Sequence, residues 1–132
     1  MTMDAETARP TATELDILRI LWERGPSTVR DVHEALSATR PMGYTGALKL
    51  LQIMAAKGLV VRDERERAHV YAAAESAETT KRRVAGDLVR KVFAGSASDL
   101  VLHVLQGQPA SPEDIAEIRR MLDAYETRKG IS

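Results

Sequence analysis

The chain has no cysteine. A disulfide framework and a thiolate metal site are therefore excluded. Its apolar runs are short, and none approaches the roughly 18 residues that a membrane helix needs. The opening residues, MTMDAETARP, contain no apolar segment of the secretory kind. These absences lead us to expect a soluble cytoplasmic protein without membrane insertion. Charge of one sign is lacking too, with 19 basic residues against 19 acidic. A strong nucleic-acid binder often carries a basic excess, yet a local basic face suffices for phosphate contact and a chain average does not reveal it. Aromatics are few: Trp22, Tyr44, Tyr71, Phe93 and Tyr125. His33, His69 and His103 stand apart, with no HExxH and no tight His/Asp cluster. With no phosphate loop or nucleophile elbow either, we expect no enzyme, no cofactor and no metal.

What is present suits one domain or two small ones: 132 residues, 44 % of them hydrophobic. Residues 1–12 read as a loose tail. Thr13 reads as a helix cap, with Asp16 completing a variant capping box. Leu15, Leu18, Leu21 and Trp22 then recur at helical spacing until Gly25-Pro26. Thr28 is a second cap, with Asp31 three residues on and Val29, Val32 and Leu36 as the stripe of a short helix. The third helix lies within PMGYTGALKLLQIMAAKGLV, residues 41–60. On a helical wheel of about 100° per residue, Ala47, Leu50, Leu51 and Met54 form one face. Thr45, Lys49, Gln52 and Ala56 point the opposite way, with Leu48 and Ile53 on the flanks. Gly58 is the stop.

Strands over 59–63 and 68–72, joined by the charged tip 64–67, predict a hairpin. Helical periodicity resumes over 77–94 and again around Leu100, Val101, Val104 and Leu105. Ser111-Pro112-Glu113-Asp114 opens a sixth helix with a Ser cap, Pro in the first turn and acids at the dipole's positive end. Ile115, Ile118, Leu122 and Tyr125 run along it. The fold class expected is mainly α with a small β-hairpin. An N-terminal winged helix-turn-helix (1–76) would precede a C-terminal helical dimerisation domain (77–132).

Five stretches in this order carry a resemblance: ATELDILRILWERGPSTVRDVHEAL, GYTGALKLLQIMAAKGLV, RAHVYAA, GSASDLVLHVL and SPEDIAEIRRMLD. Together they resemble the BlaI/MecI/CopY family of bacterial transcriptional repressors. The resemblance implies a homodimer on a palindromic double-stranded DNA operator, with the C-terminal helices intertwined. It also implies a membrane metallopeptidase sensor as a further partner. The chain departs from the family in places. Thr45-Gly46 stands where many members have Thr-Thr, Lys49 where they have Thr, and Ile53 where they often have Arg. The family's operator therefore does not transfer. The cysteine-rich tail of copper-responsive members is absent. The Asn-Phe bond at which some members are cut corresponds to His103-Val104.

Thr45, Gly46, Leu48 and Lys49 are the base-reading candidates, because major-groove recognition uses the front of the helix. Lys49 reads guanine, touches phosphate or is simply solvated. Gly46, which costs about 1 kcal/mol against Ala in a helix, reflects either close approach to DNA or drift. Thr28, Arg40, Tyr44, Arg65 and Arg67 are the phosphate candidates, although Asp63, Glu64 and Glu66 beside the last two suit a merely solvated turn. Val92, Leu100, Val101, Val104, Leu105, Ile115, Ile118, Leu122 and Tyr125 are the dimerisation candidates. Residues 1–75 hold 10 basic and 11 acidic side chains. That balance motivates an alternative function, a winged-helix module that binds protein rather than DNA.

Overall fold

The computed structural model describes residues 10–130. The predicted tail at 1–12 thus lies mostly outside the described residues, and its last part does not: Pro10 is buried and the first helix starts at Ala12. That helix, α1 (Ala12–Arg24), is capped by Thr11 and not by Thr13. The Thr11 side chain accepts the Glu14 N–H, and the Glu14 carboxylate accepts the Thr11 N–H at 2.8 Å. The longer reach of Glu at the third position closes this box better than Asp16 would, and Asp16 is engaged elsewhere.

Next come β1 (Ser27–Thr28), α2 (Val29–Leu36), α3 (Tyr44–Lys57), β2 (Val60–Asp63), β3 (Val70–Ala73) and α4 (Ala77–Lys91). The hairpin is present, its return strand starting two residues later than expected. β1 pairs antiparallel with β3, Thr28 facing Val70, and β2 pairs with β3 on the other side, Arg62 facing Tyr71. The order β1-β3-β2 makes a three-stranded sheet rather than a lone hairpin. Thr28 therefore does two things: it ends β1 and caps α2 through a full box with Asp31.

The core joins α1, α2, α3 and the sheet. Ile17, Leu18, Leu21, Val32, Leu36, Ala47, Leu51, Met54 and Tyr71 are buried together. Leu50, expected inside, is half-buried, and Leu48 likewise. Trp22 packs against this core and donates its indole N–H to the Glu75 carbonyl at 3.0 Å. Glu75 also pairs with Arg83 on α4. One charged link lies inside. Glu14 is 2 % exposed, and Lys57 Nζ reaches both its carboxylate oxygens at 2.8 and 3.0 Å, joining the start of α1 to the end of α3. Three helices followed by a sheet whose last two strands form an extended hairpin make a winged helix-turn-helix.

The described residues fall into two compact units, divided at Ala85/Gly86 inside α4. The second unit holds the end of α4 with α5 (Ala97–Gly107) and α6 (Pro112–Lys129). α4 stops at Lys91, short of the expected residue 94, because Ala94 and Gly95 take left-handed φ values of 49° and 86°. Ser96 then caps α5, and Ser111 with Asp114 boxes α6 as its sequence requires.

Candidate nucleic-acid interface

Four of the five helices whose caps are defined have side-chain caps; α3 is the exception. Its N-cap is Gly43, and no side chain covers the first-turn N–H groups. Those donors point along the positive end of the helix, ready for an anion or for water. The two glycines of this turn differ in role. A Cβ at Gly43 would meet nothing within 4 Å, whereas one at Gly46 would stand 3.0 Å from Met42 Cγ. Gly46 lies under the flexible Met42 side chain, a tight contact that neither sequence reading included. Met42 is itself held by His33, whose Nε2–H donates to the Met42 carbonyl at 2.7 Å. The His33 ring stands edge-on to Tyr44, centroids 6.2 Å apart.

In front of α3 lies an open cleft of about 590 Å³. Thr28, Val29 and Arg30 line it from the start of α2, Tyr44 and Leu48 from α3, and Arg67, Ala68, His69 and Tyr71 from the wing. The lining contains two arginines and a histidine and no carboxylate. Four expected site residues meet here: Thr28, Tyr44, Leu48 and Arg67. Arg30 and His69 were not expected. His69 follows Arg67 by two residues on the wing, whereas Arg30 shares the wall because the β1–β3 pairing folds the start of α2 against the wing. Thr45 and Lys49 sit outside the lining, exposed on the outward face of α3 as the wheel requires.

The other two phosphate candidates are engaged with carboxylates. Arg40 Nε donates to Asp16 Oδ2 at 2.8 Å, and Arg19 pairs with the same carboxylate. The Arg40 hydrogen bond is the main cause holding Asp16 below the ordinary carboxylate range. Arg65 forks onto Asp63, lowering that acid to about 2. Arg62 pairs with Glu64 at 2.8 Å. The wing's mixed charges are thus matched one to one up to residue 65.

In the second unit, α5 and α6 bury none of their residues. Val92, Val101, Val104, Leu105, Leu122 and Tyr125 are exposed, Val92 by 65 %. Ile118 is at the edge of exposure, and Leu100 and Ile115 are half-buried. Leu102 and Met121, both at least half exposed, extend the same apolar surface and were not among the residues expected. Among the described residues no cluster of His, Asp or Glu could hold a metal. No helix among them is long and apolar enough to cross a membrane.

Comparison with known proteins matches residues 10–124 to the penicillinase repressor family. The transcriptional regulator BlaI of Mycobacterium tuberculosis is 34 % identical over 119 residues, covering 89 % of this chain and 85 % of that protein. The methicillin resistance regulatory protein MecI of Mammaliicoccus sciuri is 21 % identical, covering 92 % and 98 %. A solved MarR family protein from Bacillus stearothermophilus aligns with 98 % of this chain and 77 % of its own at 19 % identity, with a TM-score of 0.39. That last likeness is too slight to bear on the fold. With the family matched from Pro10 into α6, the chain belongs to the penicillinase repressors.

Proposed function

We propose that this protein is a homodimeric, sequence-specific transcriptional repressor acting on a palindromic operator in the cytoplasm. Residues 1–76 bind DNA and residues 77–132 hold the dimer together. The observation that carries the reading is the cleft in front of α3: Arg30, Arg67 and His69 line it without a carboxylate, beside an uncapped helix start. A module built to dock an acceptor-poor or basic protein surface would place acids there. In the proposed complex α3 enters the major groove, where Thr45 and Lys49 face base edges and Leu48 a thymine methyl. Arg67 and Arg30 take phosphates on either side of it.

The dimer rests on the exposed apolar surface of α5 and α6. Helices with no fully buried residue within one chain gain little of the hydrophobic burial that offsets their ordering. A second copy of the same surface supplies it. Two winged helices joined this way meet half-sites about 34–36 Å apart or a multiple of that distance.

The test is titration of DNA at increasing salt. Each phosphate neutralised adds about 0.9 to the negative slope of log K against log salt. A flat slope would refute DNA binding. Sedimentation of the full chain should show a dimer, and Leu122→Glu with Val101→Glu should yield a monomer.

A further inference from the structure

The wing holds one contact that the DNA reading leaves unused. Asp63 ends β2, and among the described residues every hydrogen bond of the Arg65 side chain goes to it. Arg65 Nε donates to Oδ1 at 3.0 Å and to Oδ2 at 3.1 Å, and Nη2 donates to Oδ2 at 2.6 Å. The Arg65 backbone N–H adds a fourth hydrogen bond, to Oδ1 at 3.0 Å. This side-on fork is the same face of the guanidinium that a phosphate takes in a bidentate pair. Packing does not explain the arrangement, because the Arg65 side chain is 88 % exposed. Arg67, two residues on, lines the open cleft with no carboxylate in the lining.

We propose that Asp63 is an affinity-setting residue of the DNA interface, an internal competitor that occupies the Arg65 fork and keeps this arginine from phosphate. The proposal rests on the DNA-binding reading above. For Arg65 to serve DNA, one exposed ion pair must be exchanged for another, and such pairs contribute little in water. The freed Asp63 carboxylate would then stand beside the incoming phosphate, where like charges repel. The wild-type wing therefore engages DNA through Arg67, and Arg65 stays with Asp63. Asp63 is charged throughout the neutral range, so the competition is always on.

The substitution Asp63→Asn removes the charge and keeps an oxygen for the Arg65 N–H, so the turn is retained. Full-length proteins are titrated with a random-sequence duplex over a range of salt. Asp63→Asn should bind about two- to fivefold more tightly per subunit, the strength of one exposed ion pair. Its salt slope should steepen by about 0.9 for each phosphate gained. Arg65→Ala should change the wild type little and should cut the gain of Asp63→Asn back to that of a neighbouring charge removed. Glu66→Gln, which removes a neighbouring charge, should give a smaller gain that Arg65→Ala leaves intact. An unchanged affinity and slope for Asp63→Asn would overturn the proposal while the wild-type slope upheld DNA binding. So would a wild-type protein that already loses a phosphate's worth of slope on Arg65→Ala. A wild type that fails to bind the duplex at low salt would overturn the DNA reading itself, and the proposal with it.

Discussion

Replacing Lys57 by Met tests the buried link between α1 and α3. The change keeps the apolar stem and removes the ammonium. Glu14, 2 % exposed, then retains only the Thr11 N–H. Breaking a buried pair from one side costs about 3–5 kcal/mol, because the remaining charge is uncompensated. The Lys57 side chain is 28 % exposed, so water can reach part of the vacated space. We therefore expect the low end, about 3 kcal/mol. Urea unfolding followed by Trp22 fluorescence reads it directly, since Trp22 is the only tryptophan and packs on this core. The m-value should be unchanged, which keeps the midpoint shift a measure of stability. Adding Glu14→Gln should restore at least about half of the loss: a neutral amide still accepts the Thr11 N–H and carries no unpaired charge. A loss below about 1 kcal/mol for Lys57→Met, the range of an exposed pair, would refute this reasoning. So would a double variant as unstable as the sum of both single changes.

Arg67→Ala should weaken binding to specific and random DNA alike and lower the salt slope by about 1; loss on the operator alone would make Arg67 a base reader. Lys49→Ala should cost about 1–3 kcal/mol on the operator and relax discrimination at one base pair, and unchanged binding in a gel-shift titration would remove Lys49 from the site. Ala94→Gly should stabilise the full chain by about 0.5–1 kcal/mol, because relief of a left-handed alanine exceeds the extra chain entropy of glycine; a lower melting midpoint would contradict that. Asp31, held below 3.8 mainly by the Thr28 backbone hydrogen bond, stabilises α2 above that pH and loses its effect as pH falls through its folded value. The stability gap between wild type and Asp31→Ala should accordingly close in acid, and a gap that persists undiminished below the folded value would refute the cap's charge dependence.

Much of the fold is local chemistry and was legible as such. Thr28 with Asp31, Ser111 with Pro112, and Gly58 each mark a helix end through groups within a few residues. The missed features are those that distance decides. β1 is two residues long and has no alternation; it exists because Tyr71 and Val70 lie opposite it. The choice between Thr11 and Thr13 turned on Glu14, whose burial beside Lys57 is 43 residues away in sequence. The contact of Gly46 with the Met42 side chain was likewise not legible in the sequence. In the site, the helix wheel placed Thr45 and Lys49 outward correctly, but Arg30 joins Arg67 and His69 only across the β1–β3 pairing. The charge run 62–67 looked like a solvated turn; its pairing of Arg62 with Glu64 and Arg65 with Asp63 leaves Arg67 as the wing arginine facing the cleft.

The most direct measurement is a footprint of the full-length protein on the DNA upstream of its own gene. A dimeric repressor should protect two symmetric half-sites on one face of the duplex, with centres about 34–36 Å or a multiple apart. Residues 1–76, freed of the dimerisation half, should protect the same half-sites only at concentrations at least about a hundredfold higher, since joining the subunits makes the second contact intramolecular. No protection at low salt, or equal protection by the truncated and full-length proteins, would contradict a repressor that works as a dimer.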